Sequence, residues 1–237
     1  MKIFKILCLI SVFTLSIFSS AAVQANEKTS PPILSVDGSG SYEAAPDTAS
    51  ITIGISTFST EAENAQTQNA SIASNIQNAL TALGIAEKNI QTRNYNFRPT
   101  YNTEKGHENE YSGYAVDKTI YVVVDDVSLV GNVVDTALSN GANRINSLNF
   151  SVRNPQKIRK FALLAAVKDA RDKADIIAEG LGKHIIGVQN VSENSSIPTH
   201  RYDTALFAKA AANSETSIAA GNLECSATVH IEFILSD

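Results

Sequence analysis

The sequence predicts an α+β fold: a mixed, mostly antiparallel sheet packed by helices, made of two strand-helix-strand units plus a long C-terminal helix and a final strand. Three observations predict it. Residues 48–58 and 223–233 alternate apolar and polar side chains with the period of two that marks a half-buried strand. Residues 60–83 and 155–180 carry apolar side chains at three- and four-residue spacing, the period of a helix with one buried face. Two weakly similar units, over 48–98 and 114–153, each set a helix pattern between strand patterns.

The elements follow in order. Residues 33–43 (ILSVDGSGSYE) form a strand in which Gly38 and Gly40 mark a bulge or a close backbone approach at a sheet edge. Pro46-Asp47 turns the chain into 48–58, where Ala49, Ile51, Ile53 and Ile55 share a face. Thr60-Glu61-Ala62-Glu63 fits a capping box, and the helix behind it gathers Ala65, Ile72, Ile76, Ala79, Leu80 and Leu83 before Gly84 stops it. Its other face is Asn and Gln. Residues 90–101 and 111–125 are the arms of a long hairpin around the charged turn 102–110. A helix over 128–140, stopped by Gly141, leads to a strand at 144–153 with Leu148, Phe150 and Val152 on one side.

Asn154-Pro155 opens the longest helix, reaching about residue 180. Ala162, Ala166, Ala170, Ala174 and Ala178 recur every fourth position, so a neighbouring element can approach closely. The basic residues on this helix alternate with acids, and Lys168/Asp172, Asp169/Lys173 and Arg171/Asp175 are spaced to pair across one turn. A strand at 183–191 and a long connection over 192–222 precede the last strand. Within that connection, 202–212 (YDTALFAKAAA) has helix-forming composition and offers Leu206 and Phe207 to a neighbouring subunit.

The N-terminus has the layout of an export signal. Lys2 and Lys5 precede an apolar run over 6–18, and small residues follow over 19–25. That run is shorter than the roughly 20 residues that span a bilayer, so cleavage after Ala25 is expected, leaving 26–237 as a single domain. Cys8 lies at the start of the apolar run, not after it, which argues against a lipid anchor. The 17 Lys and Arg beyond residue 25 face 24 Asp and Glu, and a body with a net charge of −7 is a poor partner for nucleic acid or anionic lipid. Three helix patterns among the strands argue against a membrane barrel.

Candidate chemistry is sparse. Gly38-x-Gly40 lacks the third glycine of a dinucleotide fingerprint, and neither a phosphate-binding GxxxxGK[ST] loop nor a GxSxG elbow occurs. His107, His184, His200 and His230 are scattered, and His107-Glu108 lacks the second His of a helical zinc motif. Asp125-Asp126 reads as a helix cap, and Glu108 and Glu110 as a solvated turn. After cleavage Cys225 is the single thiol; it falls on the apolar face of the last strand with Val229 and Ile231, as a buried hydrophobe. No catalytic residue, cofactor or metal site is assigned. Tyr95, Phe97, Tyr101, Tyr111 and Tyr114 cluster along the hairpin with Arg93 and Arg98, suited to cross-strand pairing or burial at a subunit interface.

Several motifs in order resemble the SIMPL-domain family: Val36-x-Gly38-x-Gly40, Pro46-Asp47-x-Ala49, Ile90-x-Thr92-x-x-Tyr95 with Pro99-x-Tyr101, Gly141-Ala142-Asn143-Arg144-Ile145 before Phe150, Ala165-Ala166-Val167-x-Asp169-Ala170-Arg171-x-Lys173-Ala174, and Gly221-x-Leu223-Glu224. Thr216-Ser217-Ile218 departs from it, with Ser217 where a proline is common. The resemblance implies export to the periplasm, a link to oxidative-stress defence and kinship with immunogenic envelope proteins, some of which form large ring- or channel-like homo-oligomers. It supplies no catalytic residues. The expectation is therefore a non-enzymatic, self-assembling periplasmic protein without a transmembrane segment after cleavage. The alternative is a periplasmic module that binds a partner protein or envelope component through the hairpin aromatics, and a redox role for Cys225 stands third.

Overall fold

The structure, a computed structural model, describes residues 31–107, 109–196, 200–202, 218 and 220–236. Over these residues the chain forms β1 (Ile33–Ala44), β2 (Thr48–Ser59), α1 (Ala62–Ala82), β3 (Ile90–Tyr101), β4 (Tyr111–Val124), α2 (Val130–Ser139), β5 (Arg144–Ser151), α3 (Pro155–Gly180), β6 (Ile185–Ser196), β7 (His200–Tyr202) and β8 (Leu223–Leu235). The class is α+β. The strands divide between two sheets, ordered β3-β4-β2-β5-β7 and β1-β8-β6. Every pairing is antiparallel.

The larger layer contains both strand-helix-strand units, interlocked. β2 and β3 run parallel with β4 between them, and β4 and β5 run parallel with β2 between them. This is the split βαβ arrangement of ferredoxin-like folds. Both helices lie on one face, where Ile51, Ile53 and Ile55 meet Ile76 and Leu80 of α1, Val133 and Val134 of α2, and Leu148 and Phe150 of β5. The alternation that predicts β2 therefore also selects its buried face. Gly84 and Gly141 end α1 and α2 with φ of 100° and 101°, as helix-stopping glycines should.

Three local expectations change. The capping box at Thr60–Glu63 does not form: Glu61 is the N-cap and makes no side-chain cap bond, while the Ser59 hydroxyl accepts from its N–H at 3.2 Å. Pro46-Asp47 leads from one sheet to the other; Asp47 donates its N–H to the Ser151 carbonyl at 3.2 Å and accepts from the Arg153 N–H at 2.6 Å. The connection expected over 192–222 starts later, because β6 continues to Ser196 and His200–Tyr202 pairs with β5. Of the helix-forming stretch 202–212, Tyr202 belongs to β7 and the rest lies outside the described residues, as does the export signal.

The smaller layer rests on α3. Asn154 caps it by accepting from the Lys157 N–H at 3.2 Å, and Pro155 occupies its first turn. Its alanine stripe packs with Ile158 against Val36, Cys225, Ala227, Val229, Ile231 and Phe233. Contact is closest at β1, where a Cβ on Gly38 would stand 2.2 Å from the Ala166 carbonyl oxygen and one on Gly40 would stand 2.4 Å from the Ala166 nitrogen. The glycines thus mark a close approach between backbones, and Tyr42 stacks on Phe161 beside it at 4.8 Å. All three predicted one-turn ion pairs form, at 2.6 to 2.9 Å, along exposed positions of α3.

Gly38→Ala places a methyl group against a helix backbone that cannot yield without moving α3. A loss of about 1–3 kcal/mol is expected, the usual penalty of overpacking. Denaturant titration checks it, with Gly180→Ala, where a Cβ meets nothing within 4 Å, expected to leave the midpoint unchanged or slightly raised.

Candidate functional site

Three places concentrate chemistry-bearing side chains. The first is the β3–β4 hairpin, whose aromatics remain exposed. β3 crosses outside the helices that cover β2, so Tyr95, Phe97, Tyr101 and Tyr111 all stay largely open to solvent. They contact one another along the hairpin: Phe97 stacks on Tyr114 at 5.3 Å, and Tyr111 meets Tyr114 and Tyr101 edge-on at 5.4 and 6.4 Å. The predicted cross-strand aromatic pairing is present. Partial desolvation within the cluster and the neighbouring Tyr114 push the Tyr111 phenol up to about 12, so it stays protonated. Arg93 lies over Tyr121 at 4.3 Å, and Lys118 over Tyr95 at 5.8 Å.

The second place is the face of the larger sheet opposite α1 and α2. Asp117 accepts from the Ser56 hydroxyl at 2.5 Å and from Arg144 at 2.9 Å, with Arg98 at 3.6 Å. The Ser56 hydrogen bond and the two guanidiniums hold its carboxyl below the usual carboxylate range. Arg98 belongs to β3 and Arg144 to β5, so Asp117 ties the hairpin to the far side of β2. Asn69 fastens α1 from the other side. It is fully buried, and its amide donates to the carbonyls of Ile55 at 3.4 Å and Val116 at 3.1 Å. Sequence reasoning leaves Asn69 on the Asn and Gln face of its helix. The available signal is its position four residues after Ala65 and four before Ala73, both buried.

The third is the open face of the smaller sheet, where a shallow cleft of about 350 Å³ lies over β1, β8 and β6. His230 sits on this polar face as expected, with Nδ1 2.8 Å from Asp37 Oδ1. The other histidines stand apart from it: His107 pairs with Glu110 at 3.2 Å in the hairpin turn, His184 bonds the chain end through its backbone, and His200 opens β7. Among the described residues no three His, Cys, Asp or Glu side chains converge as metal ligands. Asp126 caps a turn by accepting from the Ser128 N–H at 2.9 Å, the capping role expected for the Asp125-Asp126 pair. Cys225 lies under α3 with 0% exposure, and burial pushes its thiol pKa up. A thiol held neutral in a core is a poor nucleophile.

These features define a two-sheet α+β protein whose exposed aromatic hairpin and polar sheet faces carry its distinctive groups. The chain belongs to the SIMPL family, described as a protein of unknown function (DUF541), whose profile matches residues 34–233. It is similar to the 26 kDa periplasmic immunogenic protein of Brucella melitensis biotype 1, with 28% identity over 239 residues covering 97% of this chain and 94% of that protein. It also resembles proteins named YggE and described as uncharacterized. The one from Edwardsiella ictaluri is 26% identical, covering 84% of each chain, and the one from Escherichia coli K12 is 27% identical, covering 79% of this chain and 75% of that one. Among the described residues no helix is long and apolar enough to cross a membrane.

Two measurements probe these places. Because the folded Asp117 carboxyl is depressed below its unfolded value of about 3.9, its contribution is complete above that pH and is lost as pH falls through the folded value. Asp117→Asn should therefore lower the denaturation midpoint at pH 7, and its deficit against the unaltered protein should shrink below about pH 4. Separately, Cys225 should resist a thiol reagent under native conditions and react fully in denaturant; rapid native labelling would contradict its burial.

Proposed function

We propose that this is a non-enzymatic periplasmic protein that works by self-assembly, forming a large ring- or channel-like homo-oligomer that contributes to envelope and oxidative-stress defence. The observation that carries the reading is the hairpin. Four large aromatic side chains lie exposed along one hairpin at the rim of the larger sheet, and aromatic residues clustered in this way are characteristic of protein interfaces. Support for the compartment comes from the Brucella relatives, which are named periplasmic, and from the export-signal layout of residues 1–25. The stress role rests on resemblance to the family. A buried thiol with a raised pKa weighs against a cysteine-based reaction.

A second reading has its own observation. The stacked pair Phe97–Tyr114 leaves Tyr101 and Tyr111 most exposed toward the hairpin tip, a surface on which a partner protein or envelope component could dock without self-assembly.

Light scattering after size exclusion separates the two. The protein comprising residues 26–237 is expected to run as a discrete assembly of many subunits whose mass does not change with reductant. Double substitution of Tyr101 and Tyr111 by Ala is expected to reduce that mass. A monomer at all concentrations would overturn the assembly reading in favour of the docking module. A deletion strain with normal peroxide sensitivity would remove the stress role.

A further inference from the structure

Each sheet ends in two edge strands, and an unpaired edge invites another strand unless it is shortened, bulged, charged or covered. Three of the four edges here are protected. On β1, the outward Ser39 N–H donates to Asp169 Oδ2 at 2.8 Å and the Asp37 carbonyl accepts from Lys173 Nζ at 3.1 Å, so α3 side chains occupy the groups a new strand would need. β3 carries Arg93 at a bulge, Arg98, and Pro99, which has no N–H to give. β7 is three residues long.

β6 has none of these protections over most of its length. Its twelve residues, IIGVQNVSENSS, include no Pro, Lys or Arg. Its two register shifts fall at or before Asn190, leaving Asn190–Ser196 in regular register with β8. Ile186, Val188 and Val191 are 65, 51 and 54% exposed, and among the described residues no strand pairs with the outer side of β6. The one charge, Glu193, is held by the Arg159 guanidinium at 3.0 Å.

We infer that β6 is the edge through which two copies of this chain join, in antiparallel fashion about a two-fold axis near Glu193, making one continuous six-stranded sheet from two β1-β8-β6 sheets. This rests on the self-assembly reading and assigns it a surface. A second copy is the occupant because it arrives with an identical unpaired edge. One association satisfies both, whereas a bound peptide would present a fresh edge of its own. Local charge agrees with the pairing: two Arg159 guanidiniums and two Glu193 carboxylates meet as a neutral set. The regular part of the edge is read through main-chain hydrogen bonds, with Val191 covered on the α3 side.

The test uses the protein of residues 26–237 and its Val191→Lys variant, which sets a charge on the edge while β6 keeps its pairing with β8. Light scattering of the variant should give half the mass of the unaltered protein or less, with an unchanged circular dichroism spectrum. Amide exchange at 190–196 in the unaltered protein should slow at least tenfold as concentration rises through the assembly range, a readout that does not depend on the variant folding. An assembly of unchanged mass in the variant, or one whose 190–196 amides exchange freely, overturns the β6 assignment and leaves self-assembly standing through another surface. Slow exchange at 190–196 in a species that stays monomeric overturns both, and shows that the chain covers its own edge.

Discussion

The approach of α3 to β1 is the constraint on which the smaller layer depends. With Gly38 and Gly40 facing the helix, no side chain separates the strand from the Ala166 backbone, and the alanine stripe lets α3 settle almost onto the sheet. That closeness brings Asp169 and Lys173 within reach of the outer groups of β1 and so closes one edge. It also draws the helix toward the β1 side, since α3 is only one helix wide and the sheet has three strands. β6 is left with its apolar side chains half covered. The packing that seals one edge exposes the opposite one, and the two facts share a cause.

The larger layer solves the edge problem differently. Interlocking the two strand-helix-strand units puts β4 and β2 in the centre, where Ile120, Val122 and Ile53 are buried under both helices, and sends β3 to the rim. A rim strand with helices behind only part of the sheet has no core to face. Its aromatics therefore pack against their cross-strand neighbours, as the Phe97–Tyr114 stack shows. The layers are held together where the chain passes between them, with Asp47 bonded to both Ser151 and Arg153. The Asp47 backbone N–H holds the end of β5, and its carboxylate holds the Arg153 N–H that leads into α3.

Much of this architecture is written in periodicity. The alternation of β2 and β8 and the fourfold spacing of α3 depend on burial along one element, which a sequence displays directly. The division into two sheets depends on which strands pair, and pairing joins residues as far apart as Ile33 and Ile234. Nothing in a local window encodes that. Asn69 is obscured for a related reason: a buried amide looks like its exposed neighbours until the carbonyls of Ile55 and Val116 are placed beside it. The same limit hides Asp117, whose partners Ser56, Arg98 and Arg144 come from three different strands. By contrast, Cys225 is legible because strand alternation alone decides that it points in.

What sets this molecule apart from a generic α+β domain is where its polar and apolar groups are not matched. The thiol is buried, and the His230–Asp37 pair stands on the open face of the smaller sheet. The large apolar side chains show the reverse mismatch, because Tyr101, Tyr111, Ile186 and Val191 sit at the surface, where burial would stabilise them. Exposed apolar groups gathered at strand edges gain free energy only when another surface covers them. Association would supply such a cover at both the hairpin and β6.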